Sequence, residues 1–331
     1  MGKTRLRISI IVLTYKRFDN LNRNIESILK QTYEEYEVII SDDGSPNFNR
    51  EYIESHYKGR NSEHKFSIIA RKNNVGTVKN FNEAVKSSIG DIIVPLSQDD
   101  FFCDENALAK IANAFCDSGV NVCLGLRVLQ GTDYTLPSST HIKIMQDGDR
   151  KKLWFRNACG NLYFGAALYY RKDYLQKVGF FDEQYTLLED YPFVMNCLEK
   201  GERIYLINAP TICYSMDGVS GRNKGTITPK TMRNDFFRMY RRNYLSSKEK
   251  INSRVCKDYL LFRMRTRDES CSRFKRYSNL VIDIILVLAF FHARFAKKHV
   301  IDSRFAILWE FEELATKMNT ISGRSAGTIT D

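Results

Sequence analysis

The chain has 331 residues, 43% of them hydrophobic, and a formal net charge of +11. That composition supports a sizeable core, arranged as one large domain or two smaller ones. Its eight cysteines are scattered without a C-x-x-C spacing, which excludes a zinc-type set. No signal peptide is visible, so the expectation is reduced thiols in a cytosolic protein.

In chain order, residues 8–14 (ISIIVLT) are a continuous, β-branched apolar run. Such a run suits a parallel strand buried on both faces, and it is too short to span a bilayer. A helical stripe follows with Leu21, Ile25, Ile28 and Leu29 on one face, then a strand over 36–42 and a helix over 49–57. The next strand covers 66–70. A helix over 77–88 takes Thr77 as its cap and Val78, Phe81, Ala84 and Val85 as its stripe. A fourth strand over 91–96 leads to a helix over 105–115. Strict alternation of strand and helix predicts an α/β fold with a mostly parallel central sheet and helices on both faces. Past residue 120 the pattern loosens. Residues 120–129 read as a strand, 160–183 hold a Gly-containing strand and a short helix, and a helix starts near Asp190. One or two strands lie in 203–221, and everything from about 229 onward reads as helical.

Two strand ends share an unusual arrangement. Residues 37–45 (EVIISDDGS) run from apolar residues into Asp42 and Asp43, and residues 92–100 (IIVPLSQDD) run into Asp99 and Asp100. Adjacent carboxylates repel, and burying either is costly without a partner. Turn chemistry accounts for one such site, but two similar sites need a common cause. Open parallel sheets bind ligands beyond the carboxyl ends of their strands. Thr14, Tyr15 and Arg17 follow the first strand, and Arg71 follows the third, so four loops converge on one crevice. No G-x-G-x-x-G follows the first strand, which counts against a dinucleotide site.

The ordered set ISIIVLTYKR, EVIISDDGS, NNVG, IIVPLSQDD and LLEDYPFVMNCLEKG resembles the family 2 glycosyltransferases of GT-A fold, of bacterial surface-polysaccharide type, over residues 6–220. The resemblance implies a nucleotide-sugar donor, usually carrying UDP, and transfer with inversion. It also implies that Asp43 bonds the uracil with Thr14 nearby, that Asp99 contacts the ribose, and that Asp100 binds a divalent metal, Mn²⁺ or Mg²⁺. Such hard cations favour oxygen ligands and neutralise a leaving diphosphate. Gln98 precedes the pair, so this is not a strict D-x-D. By the same resemblance Asp190 is the base that takes the acceptor proton, with Glu189 in support; a favourable acidic helix start is the plainer reading of both. Where relatives carry a metal-binding His, this chain has Asp217, which serves as an oxygen ligand or as a turn residue. Arg222, just beyond, reaches the diphosphate or is a solvated base.

The sequence thus divides into a nucleotide-sugar-binding and catalytic domain, 1–228, and a basic helical region, 229–331. Residues 222–304 hold 21 Lys and Arg against 7 Asp and Glu, a balance of +14, which leaves −3 elsewhere. That asymmetry points to an anionic partner. The apolar run Leu280–Phe291 contains Asp283 and is too short to span. A buried helix, an in-plane membrane helix and a homodimer seam all fit it. No RNA-binding motif accompanies the aromatic–basic interleaving, so nucleic acid is disfavoured. The leading reading is an inverting transfer from a UDP-hexose or UDP-N-acetylhexosamine to a glycan or lipid-linked glycan, at the cytoplasmic face of the membrane, as in O-antigen or capsule biosynthesis. The other reading is a non-catalytic basic module, membrane- or nucleic-acid-associated, on a decayed transferase fold.

Overall fold

The structure, a computed structural model, describes residues 5–58, 65–117, 119–146, 149–215 and 230–250. Four parallel strands form one half of its sheet: β1 (Ile8–Thr14), β2 (Tyr36–Asp42), β3 (Lys65–Ala70) and β4 (Ile92–Ser97), in the order β3-β2-β1-β4. Beyond β4 comes β8 (Leu168–Arg171), antiparallel to both its neighbours. The sheet then continues through β6 (Val122–Leu129) and its parallel partner β9 (Ile204–Tyr214) to β5 (Phe101–Phe102), with β7 (Thr135–Leu136) paired on β6. The expected mostly parallel sheet is therefore present, interrupted by the reversed strand β8 and extended by the short antiparallel strands β5 and β7.

Successive strand residues point to opposite faces, and both faces are covered. Ile8, Ile10 and Val12 pack with α1 (Leu21–Leu29), α2 (Arg50–Lys58) and α4 (Ala107–Ala114). Ile11, Ile39 and Ile93 pack against α3 (Thr77–Ser87) and α8 (Asp190–Lys200). The helices α5 (Ser139–Gln146), α6 (Arg150–Cys159) and α7 (Lys172–Val178) belong to the second face. Neither α5 nor α6 was expected from the sequence. The stretch RKKLWFRNAC lacks a clean apolar stripe, and it buries Arg156 and Asn157 beside Trp154 and Ala158.

One local expectation is corrected. The residue at the cap of α3 is Gly76, at φ +94°, and Thr77 is already helical. A Cβ at Gly76 would lie 2.5 Å from Thr186 Cγ2 and 2.8 Å from its carbonyl oxygen. Close approach of the loop before α8, not side-chain capping, selects the residue there.

The helix α9 (Lys230–Lys250) begins just past the expected division at residues 228 and 229, and its inner face is part of the same core. Met232, Met239 and Tyr240 are buried there. Asn243 donates to the Ala158 carbonyl at 3.1 Å, and Arg242 pairs with Glu199 at 2.9 Å. Asp235, 1% exposed, accepts from the backbone N–H groups of Thr186 and Leu187 at 2.9 and 2.7 Å. Among the described residues no helix is long and apolar enough to cross a membrane. The run Leu280–Phe291 lies outside them.

If α9 is a core element, Met239→Ala should lower unfolding stability by ~2–5 kcal/mol, the usual cost of emptying a buried Met site. Leu245→Ala, at a half-exposed position on the same helix, should stay within ~0.5 kcal/mol of the parent. Urea unfolding of both variants measures this, and equal small effects would detach the helix from the core.

Candidate active site

The carboxyl ends of β1, β2, β3 and β4 meet as the parallel registers require, and the loop chemistry there is dense. Thr14 donates to Asp42 Oδ1 at 2.9 Å, and Ser45 meets both Asp42 oxygens, through its hydroxyl at 2.6 Å and its N–H at 2.7 Å. Asp43 accepts from Asn74 Nδ2 at 2.7 Å and from the N–H groups of Val75 and Gly76 at 2.8 and 3.0 Å. Burial raises its pKa, and those backbone donors oppose the rise. The DD pair thus also fixes the turn, as the plain reading of Asp and Gly at strand ends anticipates. Arg71 forms an ion pair with Glu83 and donates to Asn80 at 3.0 Å, so its guanidinium is held on α3.

The second acidic loop is held from three sides. Asn24 of α1 donates to the carbonyls of Ser97 and Asp100 at 2.9 and 2.7 Å. Gln98 accepts from the Tyr15 N–H at 2.9 Å, tying this loop to the end of β1. Arg17 pairs with Asp99 at 3.7 Å. Lys16 between them has φ +62°, a strained setting for a non-glycine residue. Tyr15 is the exposed aromatic of this rim.

Asp100 is 2% exposed, and its Oδ1 accepts from the Ser215 N–H at 2.8 Å. Burial pushes its pKa up to about 7 against the pull of that donor and of Arg127. Its Oδ2 takes no hydrogen bond from the described residues, so the donor set fits one carboxylate ligand for a hard cation completed by phosphate oxygens. No cluster of three potential ligands occurs among the described residues. Asp217 and Arg222, the other expected contributors, lie outside them.

Glu189 and Asp190 stand at the start of α8. Asp190 Oδ2 accepts from Asn161 and from the Gly165 N–H, both at 2.8 Å, and Oδ1 accepts from the Tyr191 N–H at 2.6 Å. Burial raises its pKa, while these donors and Arg127 oppose the rise. Burial, with the Asp190 charge beside it, pushes Glu189 up to about 8. Burial thus pushes both neighbouring carboxyls toward the protonated form, and the donors around Asp190 offset that push at Asp190. This is the pattern in which neighbouring carboxyls take separate roles.

Arg127 was not anticipated. It is 8% exposed on β6, with its guanidinium 3.6 Å from the Phe164 ring centroid and 4.4 Å from that of Tyr214. Its charge favours ionisation of both Asp100 and Asp190. The pairing of β6 with β9 slips on both sides of Leu126, and such bulges re-aim the residues beside them. Gly125 permits the slip, since a Cβ there would lie 2.2 Å from Thr211 Oγ1. Of the neighbouring aromatics, Trp154 and Tyr163 are core, whereas Phe164 flanks Arg127.

With this geometry in place, the comparisons are specific. The profile described as Glycosyl transferase family 2 matches residues 9–179, and the chain belongs to that family. It is 29% identical over 177 residues to an uncharacterised glycosyltransferase of Nostoc sp., and the match covers 52% of this chain and about half, 53%, of that protein. It is 26% identical over 263 residues to WcaA of Escherichia coli K12, a glycosyl transferase named for colanic acid biosynthesis. That match covers 77% of this chain and 86% of WcaA. In solved structures, S. aureus TarS 1–349 in complex with UDP-GlcNAc superposes with a TM-score of 0.56 at 20% identity, covering 82% of this chain and 75% of that one. The mannosyltransferase PcManGT of Pyrobaculum calidifontis, in complex with GDP-Man and Mn²⁺, gives 0.53 at 13% identity over 93% and 88%. The GT-A fold expected from the sequence is thereby shown.

Electrostatics at this site should mark the stability profile. Glu189 and Asp100 have raised pKa values, so the folded state binds more protons than the unfolded one between about pH 4 and 8. Their contribution to stability is complete below the unfolded values and is lost as pH rises through the folded ones. Urea midpoints should therefore fall less steeply from pH 5 to 8 in Glu189→Gln than in the parent. Arg127→Gln should instead steepen the fall, with a deficit of ~3 kcal/mol at pH 8 that shrinks toward pH 5. Parallel profiles for all three proteins would contradict this account.

Proposed function

We propose that this chain transfers a hexose or N-acetylhexosamine from a UDP-sugar, with inversion, to a hydroxyl of a glycan or lipid-linked glycan during surface-polysaccharide biosynthesis. The observation that carries the reading is the placement of two acidic pairs, Asp99–Asp100 and Glu189–Asp190, around one buried cation, Arg127. The fold shared with a UDP-GlcNAc-bound structure supports the choice of UDP.

In this scheme Tyr15, Thr14 and Asp43 border the base, where Asp43 Oδ1, with one bond from Val75, retains a lone pair for an imide N–H. Arg17 and Asp99 face the ribose, and Arg71 supports the pocket from α3. Asp100, with Asp217 as a further candidate, would hold Mn²⁺ or Mg²⁺, which supplies Lewis-acid neutralisation of the diphosphate. Arg222 is the proposed diphosphate contact from the chain beyond β9. Asp190 takes the proton of the acceptor hydroxyl as its oxygen attacks the anomeric carbon, and the bond from that carbon to the diphosphate oxygen breaks on the opposite side. Glu189, whose burial favours the protonated form, orients the acceptor or supports Asp190. The polar partners of Asp43, Asp99, Asp100 and Asp190 support this reading over a decayed, non-catalytic module.

UDP release from UDP-sugars in the presence of acceptor extract tests the reading. Asp190→Asn should lower turnover by ~10²–10⁴ while UDP affinity, by calorimetry, stays within about threefold of the parent. Asp100→Ala should remove the Mn²⁺-dependent part of UDP binding and spare uridine binding. Near-normal turnover in Asp190→Asn would overturn the base assignment.

The basic C-terminal third supports a second element of the proposal, attachment to the anionic inner face of the membrane, with a homodimer seam as the competing use. Each basic residue near such a surface contributes ~1 kcal/mol, screened by salt. The full-length protein should co-sediment with phosphatidylserine-containing vesicles at low salt and be released at high salt. Indifference to those vesicles at low salt removes this element.

A further inference from the structure

Outside the acidic crevice, the structure brings together two cysteines distant in sequence. Cys103 follows β5 and Cys213 lies on β9, 110 residues apart, with their sulfurs 3.1 Å from each other. The antiparallel register sets Phe101 against Cys213 and Phe102 against Ile212. The Cys103 N–H donates to the Thr211 carbonyl at 3.0 Å. The thiols therefore stand diagonally across a short ladder, within reach of one another. Both residues are partly exposed, unlike Cys123 and Cys197 in the core.

The neighbourhood favours a thiolate at Cys213, while the shared hydrogen bond and burial keep Cys103 a thiol. The hydrogen bond from Cys103, with Arg23 nearby, pulls the Cys213 thiol down to about 7. The Arg23 guanidinium stacks on Phe101 at 3.8 Å. Reactive cysteines are partly exposed, sit near cations and are poised beside a second thiol. Position also matters. Cys103 is three residues beyond Asp100, and Cys213 is two before Ser215, whose N–H binds Asp100. A covalent link between them would span the base of the acidic loop.

We propose that Cys103 and Cys213 form an oxidisable dithiol, a modification site at which a hydroperoxide closes a reversible disulfide that ties the Asp99–Asp100 loop to β9. The Cys213 thiolate attacks the peroxide oxygen, displacing water or an alcohol and forming a sulfenic acid. The Cys103 sulfur then attacks the Cys213 sulfur, releasing water. Two thiols lose two electrons, the peroxide gains them, and a dithiol reductant reverses the change. Closure of the bond is independent of the transferase reading; its effect on donor binding rests on it.

The test uses the full-length protein, reduced, desalted and treated with a small excess of hydrogen peroxide, then alkylated and mapped without reduction. The expected result is one peptide pair joining Cys103 to Cys213, ~2 Da lighter than the two thiols, with loss of two titratable thiols and recovery on dithiothreitol. Cys103→Ser and Cys213→Ser should each abolish that pair. Full alkylation of both residues after peroxide, or cross-links only to other cysteines, overturns the site. A further readout is UDP affinity of oxidised against reduced protein, expected to differ by at least about threefold, and not in peroxide-treated Cys103→Ser. An unchanged affinity with the cross-link present overturns the coupling to the donor loop alone. Absent UDP binding in the reduced protein counts against the transferase reading and leaves the peptide map to decide the dithiol.

Discussion

Mutual repulsion among carboxylates is the constraint on which the rest of this structure depends. Asp42, Asp43, Asp99, Asp100, Glu189 and Asp190 gather at one end of the sheet, in a setting that shields several of them from water. Left alone, such charges cost several kcal/mol each. Each has a distinct solution. Asp42 and Asp43 are taken up by turn donors, and Asp99 by Arg17. Asp190 has three donors around it. Burial shifts Glu189 and Asp100 toward their uncharged forms. Arg127 compensates charge in both halves, and among the described residues two aromatic rings, rather than contact ion pairs, hold it where it is. A cation placed this way stabilises both carboxylates without occupying either, which leaves their oxygens to other partners.

How far this could be read from the sequence follows from the range of the interactions involved. The β1–α4 half was legible because its signals are local: β-branched runs such as Ile8–Val12, the stripe Leu21–Ile25–Ile28, and acidic pairs at successive strand ends. The helix start expected near Asp190 was legible too, and α8 begins there. The unread features are long-range. Nothing local distinguishes Arg127 from a surface arginine, since its burial comes from a register slip against β9 and from Phe164, 37 positions away. Asn24 and Gln98 look like ordinary polar residues until the fold places their amides on neighbouring loops. The helices α5 and α6 were missed because they bury polar side chains, which breaks the apolar period that reveals a helix.

The placement of α9 carries the same lesson to the level of domains. Charge shifts near residue 222, and the division between residues 228 and 229 is natural on charge alone. Charge, however, describes the outer face of a helix, whereas membership in a domain is decided by the inner one. On that inner face Met239 and Tyr240 fill the core, and Asp235 holds the N–H groups of Thr186 and Leu187. Leu188 alone separates them from Glu189, and Thr186 packs on Gly76, whose N–H in turn binds Asp43. One chain of contacts therefore runs from the basic C-terminal helix, through the loop bearing the proposed base, to the loop proposed to face the nucleotide. Catalysis by positioning is sensitive to displacements of about 1 Å. A helix anchoring that loop through two backbone hydrogen bonds belongs to the same packed unit as the proposed base, whatever its outer face binds.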